Sequence, residues 1–214
     1  LTVISEPLSV GIGTNKILEI GASGLTYVKR YVVQVNDSSG LAKSDVLVSP
    51  LLDLVYYEKG AWAVNGGRWQ KYPTASCPNE DLNRNGVAEI YSNGGIEDAN
   101  LSYNDPAGRP ALDPAKALVS VSYEGGNRTN SLGQVIMRIE YPQNYASWIS
   151  FNLVVAATGV AGTEGRANFN GLLPVDEEAL KDVESVPVFA YSPFGLLASP
   201  KIFVQTPDGS ASAS

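Results

Sequence analysis

A short acidic stretch near the middle of the chain places oxygen-bearing side chains at every second residue. It begins at Asp81, continues through Asn83 and Asn85, and turns at Gly86 before Val87. Calcium takes about six to eight hard oxygen ligands, and Asp-x-Asn-x-Asn-Gly is the opening of a calcium-binding loop. The spacing therefore predicts that the side chains of Asp81, Asn83 and Asn85 and the carbonyl of Val87 converge on one calcium ion.

The motif does not determine the ligand that closes this site. A helical calcium hand requires a bidentate glutamate at the twelfth position, where this chain has Ser92. The loop is therefore not a standard EF-hand, and the closing carboxylate is left open among Glu89, Glu97 and Asp98. The alternative is that Asn, Asp and Gly are present only because each favours turns.

Other catalytic chemistry is restricted by composition. The 214 residues include no histidine, which excludes Ser-His-Asp, Cys-His and His-zinc centres. The single cysteine, Cys77, cannot form an internal disulfide. The consecutive acids Asp176, Glu177 and Glu178 favour a helix start over a pair of glycosidase carboxylates. We therefore expect that the chain is not an enzyme.

The charge balance restricts the partners. Lys and Arg number 15 and Asp and Glu 22, giving a net charge of −7. Nucleic acid and anionic membrane surfaces require a basic patch, so neither is expected to bind. No apolar run is long enough to span a membrane, and no signal peptide is recognisable, so we expect no membrane insertion.

The elements that must position the acidic loop have the pattern of strands. Val, Ile, Tyr and Thr cluster in short runs that end at Gly, Pro, Asn or Asp. The segment 72–114 is rich in Asn, Asp, Gly and Pro and is interpreted as an insertion between strands, which a metal would organise. The predicted strands are 8–12, 17–20, 25–36, 45–58, 117–123, 134–141, 147–158 and 165–173.

These patterns predict an all-β immunoglobulin-like β-sandwich over residues 1–173, with the insertion inside it. One sandwich or two half-domains are both left open. Residues 174–214 are predicted to form a short helix at 176–183, where acids occupy the first turn, followed by an extended C-terminal tail.

Three stretches carry a likeness to a known family. Residues 31–40 read as a strand that runs into an Asp-x-x-Gly turn, 130–135 read as a second entry of this kind, and 147–157 read as a final strand. On these residues the chain resembles the bacterial immunoglobulin-like domains repeated in intimin and invasin. The second turn departs from the family pattern, because Asn130 stands where the family tends to have Asp. The resemblance implies a secreted or cell-surface protein with a role in adhesion, spacing or filament structure.

The predicted function is a subunit of an extracellular filament, pilus or adhesin that assembles with itself by strand addition and is stabilised by calcium. An extended tail is a plausible donor strand, and Ile202, Phe203 and Val204 are the predicted partner-binding residues. One alternative is a virion decoration domain. Another is an adhesin domain that binds a host surface or a glycan, for which Trp62 and Trp69 are predicted either to be exposed or to pack the insertion onto the sandwich.

Overall fold

The structure is a computed structural model that describes residues 7–84, 113–159 and 164–196, together with the backbone of four short strands beyond them. Two single 3₁₀ turns, Lys116–Leu118 and Gln143–Tyr145, accompany the strands. In chain order the described strands are β1 (Ser9–Thr14), β2 (Glu19–Ile20), β3 (Thr26–Asn36), β4 (Leu47–Asn65), β5 (Arg68–Pro78), β6 (Glu89–Ser92), β7 (Gly95–Asp98), β8 (Ser120–Tyr123), β9 (Gln134–Pro142), β10 (Ile149–Thr158), β11 (Gly165–Leu172), β12 (Phe203–Gln205) and β13 (Ala211–Ala213).

Two antiparallel sheets form the sandwich. One has the strand order β1-β3-β9-β8, with β2 also paired to β3, and the other has the order β11-β10-β4-β5. Each sheet therefore combines strands that precede the predicted insertion with strands that follow it. The prediction of an all-β sandwich is confirmed. No helix among the described residues is long and apolar enough to cross a membrane.

The core follows from alternation along the central strands. In β10 every second residue is buried, from Ile149 to Ala157, because a strand points successive side chains to opposite faces. The facing strand β3 buries Tyr31 in the same way, and its ring lies edge-on to Phe151 at 6.3 Å between centroids. Burying one large apolar side chain contributes about 1.5 to 3 kcal/mol, so these two strands supply much of the stability.

One predicted boundary and one predicted helix are wrong. The predicted insertion begins at 72, but β5 continues to Pro78, so its first residues belong to a strand. The predicted helix at 176–183 is a series of turns. Asp176 Oδ1 accepts a hydrogen bond from the amide of Glu178 at 3.0 Å, and the carbonyl of Leu180 accepts one from the amide of Trp69 at 2.9 Å. The amides of Lys181 and Asp182 both donate to the carbonyl of Glu178, at 3.0 and 3.3 Å, so the segment closes a turn at Glu178.

Residues 174–196, called the C-terminal segment here, continue the second sheet along β4 beyond Ile149, the first residue of β10. The amide of Trp62 donates to the carbonyl of Ala190 at 2.7 Å, and Tyr191 forms a bridge with Ala61. Phe189, which directly precedes Ala190 in the chain, is fully buried. The segment therefore covers the side of β4 that β10 leaves open.

Candidate functional site

The outer strand β11 is the longest regular edge of the sandwich. It pairs with β10 through all eight of its residues without a register shift, and it is the last strand of its sheet. It contains no proline and one charged residue, Arg166. Two of its residues meet the other sheet closely: a Cβ on Gly165 would lie 2.4 Å from the carbonyl of Leu8, and the Phe169 ring packs on Tyr31. Such an edge is a template for another strand.

The ladder shows which amides of β11 point away from the sheet. The amide of Leu173 donates to the carbonyl of Ile149 at 2.9 Å. Residues of an antiparallel strand alternate between bonding their neighbour and pointing away from it. The odd-numbered residues of β11 therefore bond β10, and the amides of Arg166, Asn168 and Asn170 point outward.

The other edges carry features that discourage pairing. β5 contains Pro73, next to a register shift in its ladder with β4, and β8 has four residues. The edge formed by β1 and β2 is interrupted between Thr14 and Glu19. There the buried ammonium of Lys29 donates to the carbonyl of Ile17 at 3.1 Å, and burial lowers the pKa of this lysine. Prolines, short strands and inward-pointing charges are devices that protect edges.

Apolar side chains reach the surface beside β11. Phe169 is half-buried, and its ring lies 5.1 Å from that of Tyr31 and 6.2 Å from that of Phe151. Val10 and Ile12 of β1 are also half-buried against the core. An added strand would therefore find apolar contacts as well as outward-pointing amides.

Of the predicted donor residues, Phe203 and Val204 lie in β12, and Ile202 lies outside the described residues. The backbone of β12 pairs with β13, and each of these strands has three residues. A two-stranded ladder of this length is marginal on its own.

The base of the acidic loop is fixed by hydrogen bonds. The carboxylate of Glu80 accepts from the hydroxyl of Tyr57 and from the amide of Asp113, both at 3.1 Å, and the amide of Glu80 donates to the Asp113 carbonyl at 3.1 Å. Burial, with Glu80 and Cys77 nearby, raises the pKa of Tyr57 above its usual range. The two ends of the loop are therefore held together beside the core.

The predicted calcium ligands are only partly described. Asp81 and Asn83 lie just beyond the fixed base, whereas Asn85 and Val87 lie outside the described residues. Among the residues that the structure describes, no group of three or more His, Cys, Asp or Glu is arranged to hold a metal. In the backbone ladder of β6 and β7, Glu89 pairs with Asp98 and Ile90 with Glu97.

Arg84 lies against the start of the same loop. Its guanidinium contacts both carboxylate oxygens of Asp53, at 2.6 and 3.0 Å, and also donates to the carbonyl of Asp81. Its φ is +65°, a conformation that is uncommon outside glycine. This ion pair attaches the first turn of the loop to the outer face of β4.

Trp62 and Trp69 pack elsewhere than the sequence predicts. Trp62 and Trp69 contact the C-terminal segment: the Trp62 ring lies 5.6 Å from that of Phe189, and the Trp69 indole donates to the carbonyl of Asp182 at 2.9 Å. Trp148 is fully buried. Among the described residues, the aromatic rings that are largely exposed are therefore tyrosines.

Over the part of the chain that the structure describes, fold and edge together define a class of protein: a two-sheet antiparallel sandwich whose outer strand β11 has no further strand paired to it. A scan of protein-family models, a search of curated proteins and a search of solved structures found no match to this chain. Function is therefore inferred from the geometry of the described residues.

Proposed function

We propose that the protein is a non-enzymatic structural subunit of an extracellular filament or adhesin, and that copies join by strand addition at β11. The observation that carries this proposal is the eight-residue edge of β11, on which none of the described strands pairs beyond β10. Strand addition draws its affinity from main-chain hydrogen bonds and its specificity from alternate side chains. The outward amides and the half-buried Phe169 provide for both.

The proposed donor is the strand that contains Phe203 and Val204 in a second copy. Within its own chain the described part of this strand pairs over three residues. Transfer to β11 would replace that short ladder with a longer one and would cover apolar surface, so the exchange is favourable once copies are concentrated.

We propose calcium as the stabilising ion of the acidic loop. The ligands would be Asp81, Asn83, Asn85 and the Val87 carbonyl, closed by Glu89, Glu97 or Asp98, since calcium prefers carboxylate, amide and carbonyl oxygens. Bound calcium would hold the loop against the sandwich.

Sedimentation velocity over a range of protein concentrations tests the assembly. The full chain is expected to form oligomers, and a chain that ends after Leu196 is expected to remain monomeric. This truncation retains Phe189, whose removal would damage the core. Oligomers that persist in the truncated chain would contradict the proposed donor.

A pair of substitutions at one position tests the acceptor edge. Asn168→Pro removes an outward amide, and proline is tolerated where an edge strand faces solvent, so the fold should survive while assembly is lost. Asn168→Ala retains the amide and should assemble like the parent. Equal assembly of the two variants would exclude β11 as the acceptor.

A further inference from the structure

One row of side chains on the outer face of the second sheet is polar across three strands. Asn170 of β11 pairs with Asn152 of β10, and Asn152 pairs with Asp53 of β4. Directly opposed residues of antiparallel strands have their side chains on the same face. The Asp53 end of this polar row is held by Arg84, at 2.6 and 3.0 Å, whereas Asn170 is exposed at the edge of the sheet.

The middle of the polar row has an unused acceptor. Asn152 Oδ1 is buried and, among the described residues, has no hydrogen-bond partner. Buried polar atoms are hydrogen-bonded as a rule, so this oxygen needs a donor. Opposed Cβ atoms lie about 4.5 to 5.5 Å apart, so the amide group of Asn170 reaches Asn152 Oδ1 when its side chain is held in one orientation. None of the described strands lies beyond β11 to hold it.

The adjacent outer row is mostly apolar. Leu172 of β11 and Tyr56 of β4 belong to it, and each is 48% exposed. Between the two rows Gly171 directs no side chain to the inner face, and a Cβ there would lie 3.2 Å from the Phe169 ring. A valine-sized group on an added strand can lean over this glycine onto the ring. In consecutive residues, the edge of β11 is therefore polar outward, bare inward and apolar outward.

We propose that this pattern fixes the register of the donor strand, an inference that rests on the proposed strand addition at β11. The donor is the segment 203–205 of a second copy, and it runs antiparallel to β11. Its side chains at 203 and 205 share one face and the side chain at 204 lies on the other. The three pairs are Gln205 with Asn170, Val204 with Gly171 and Phe203 with Leu172.

This register satisfies the polar row. The Gln205 amide group joins it, and Asn170 accepts from Gln205 while it donates to Asn152 Oδ1. Ladders of stacked Asn and Gln side chains stabilise neighbouring strands in this way. Assembly therefore supplies the donor that Asn152 lacks in the single chain.

Shifted registers match the edge less well. A shift by one residue in either direction turns Gln205 to the inner face, beside the aromatic rings. A shift by two residues places Phe203 opposite Asn170 or Gln205 opposite Leu172. Each of these alternatives sets a polar side chain against an apolar one.

The sequence after the donor residues ends the ladder at a suitable place. In the proposed register Pro207 lies opposite Asn168. The outward amide of Asn168 can still donate to the Pro207 carbonyl, whereas proline has no amide to return the bond. The donor strand therefore stops pairing at Pro207.

Disulfide trapping between two differently substituted copies tests the register. Leu172→Cys in one copy and Phe203→Cys in the other should cross-link readily, because opposed Cα atoms lie about 5.5 Å apart, within reach of a disulfide. The matched offset mixture is Asn170→Cys with Phe203→Cys. It should cross-link about tenfold more slowly or not at all, since diagonal neighbours lie about 7 to 8 Å apart. Each variant alone provides the background, and the native Cys77 is buried in all of them.

The same substitution at two positions of β11 tests the polar row. Asn170→Leu should raise the dissociation constant of the oligomer about fivefold, measured by sedimentation velocity, because Gln205 and Asn152 both lose their partner. Asn168→Leu is the matched control, since Asn168 is also exposed and lies opposite a proline in the proposed register. Circular dichroism of each variant separates loss of assembly from loss of fold.

Two results would overturn the proposed register: faster cross-linking in the offset mixture than in the opposed one, or equal assembly of Asn170→Leu and Asn168→Leu. Failure of strand addition itself has a different signature. Assembly would then survive Asn168→Pro, and neither mixture would cross-link above the background of the single variants.

Discussion

Replacement of Phe189 by alanine is expected to destabilise the whole sandwich, although this residue lies outside its named strands. The Phe189 side chain is fully buried, with its ring 5.6 Å from that of Trp62, and its carbonyl accepts from the indole of Trp148 at 2.8 Å. Removal of a buried phenylalanine ring costs about 3 to 5 kcal/mol, because the cavity collapses only in part. For a domain of this size the melting temperature should fall by roughly 6 to 20 °C.

Urea unfolding, followed in parallel by tryptophan fluorescence and circular dichroism, measures this loss. The midpoint should fall while the denaturant slope stays the same. Val188→Ala is the control, since Val188 is 65% exposed and its truncation should change the stability by no more than about 0.5 kcal/mol. A loss below about 1 kcal/mol for Phe189→Ala, or a fluorescence transition that separates from the circular dichroism transition, would show that the C-terminal segment is not part of the cooperative core.

Three further predictions concern pH, a glycine contact and calcium. Burial raises the pKa of Tyr31, Tyr57 and Tyr141 above the ordinary value of 10.0. The stability that these buried neutral tyrosines contribute is therefore complete below pH 10 and is lost as the pH rises from there through the pKa of the folded state. Urea midpoints measured at stepped alkaline pH should fall accordingly. Constant midpoints would contradict this prediction. Gly165→Ala would bring a Cβ within 2.4 Å of a backbone carbonyl and should cost about 1 to 3 kcal/mol, whereas Gly11→Ala, with open space around it, should not destabilise; equal melting temperatures would contradict this contact. Removal of calcium with excess EDTA should lower the melting temperature of the calcium-loaded protein, and an unchanged value would exclude calcium as the stabilising ion.

The sequence predicts the strands well where polar and apolar residues alternate. The boundaries of β10 and β9 follow from such alternation, because this pattern is visible in the segment itself without knowledge of its neighbours. β4 is longer than predicted because Gly60 looks like a strand end, whereas its φ of +137° and the register shift before it let the strand bend and continue. The helix prediction at 176–183 is wrong because acids at 176–178 suit a helix start and a turn alike, and this segment forms turns.

The candidate sites were harder to predict than the strands. Gly165–Leu172 is recognisable as a strand, but its place at the edge depends on which distant segments pair, and this is decided by the packing of the whole chain.

Amide hydrogen exchange at β11 tests the central claim most directly, because it reports on the edge itself. With the full chain at assembling concentration, the outward amides of Asn168 and Asn170 should become protected, and they should exchange freely in the chain that ends after Leu196. If these two amides exchange at the same rate in the oligomer and in the truncated monomer, copies do not join by strand addition at β11.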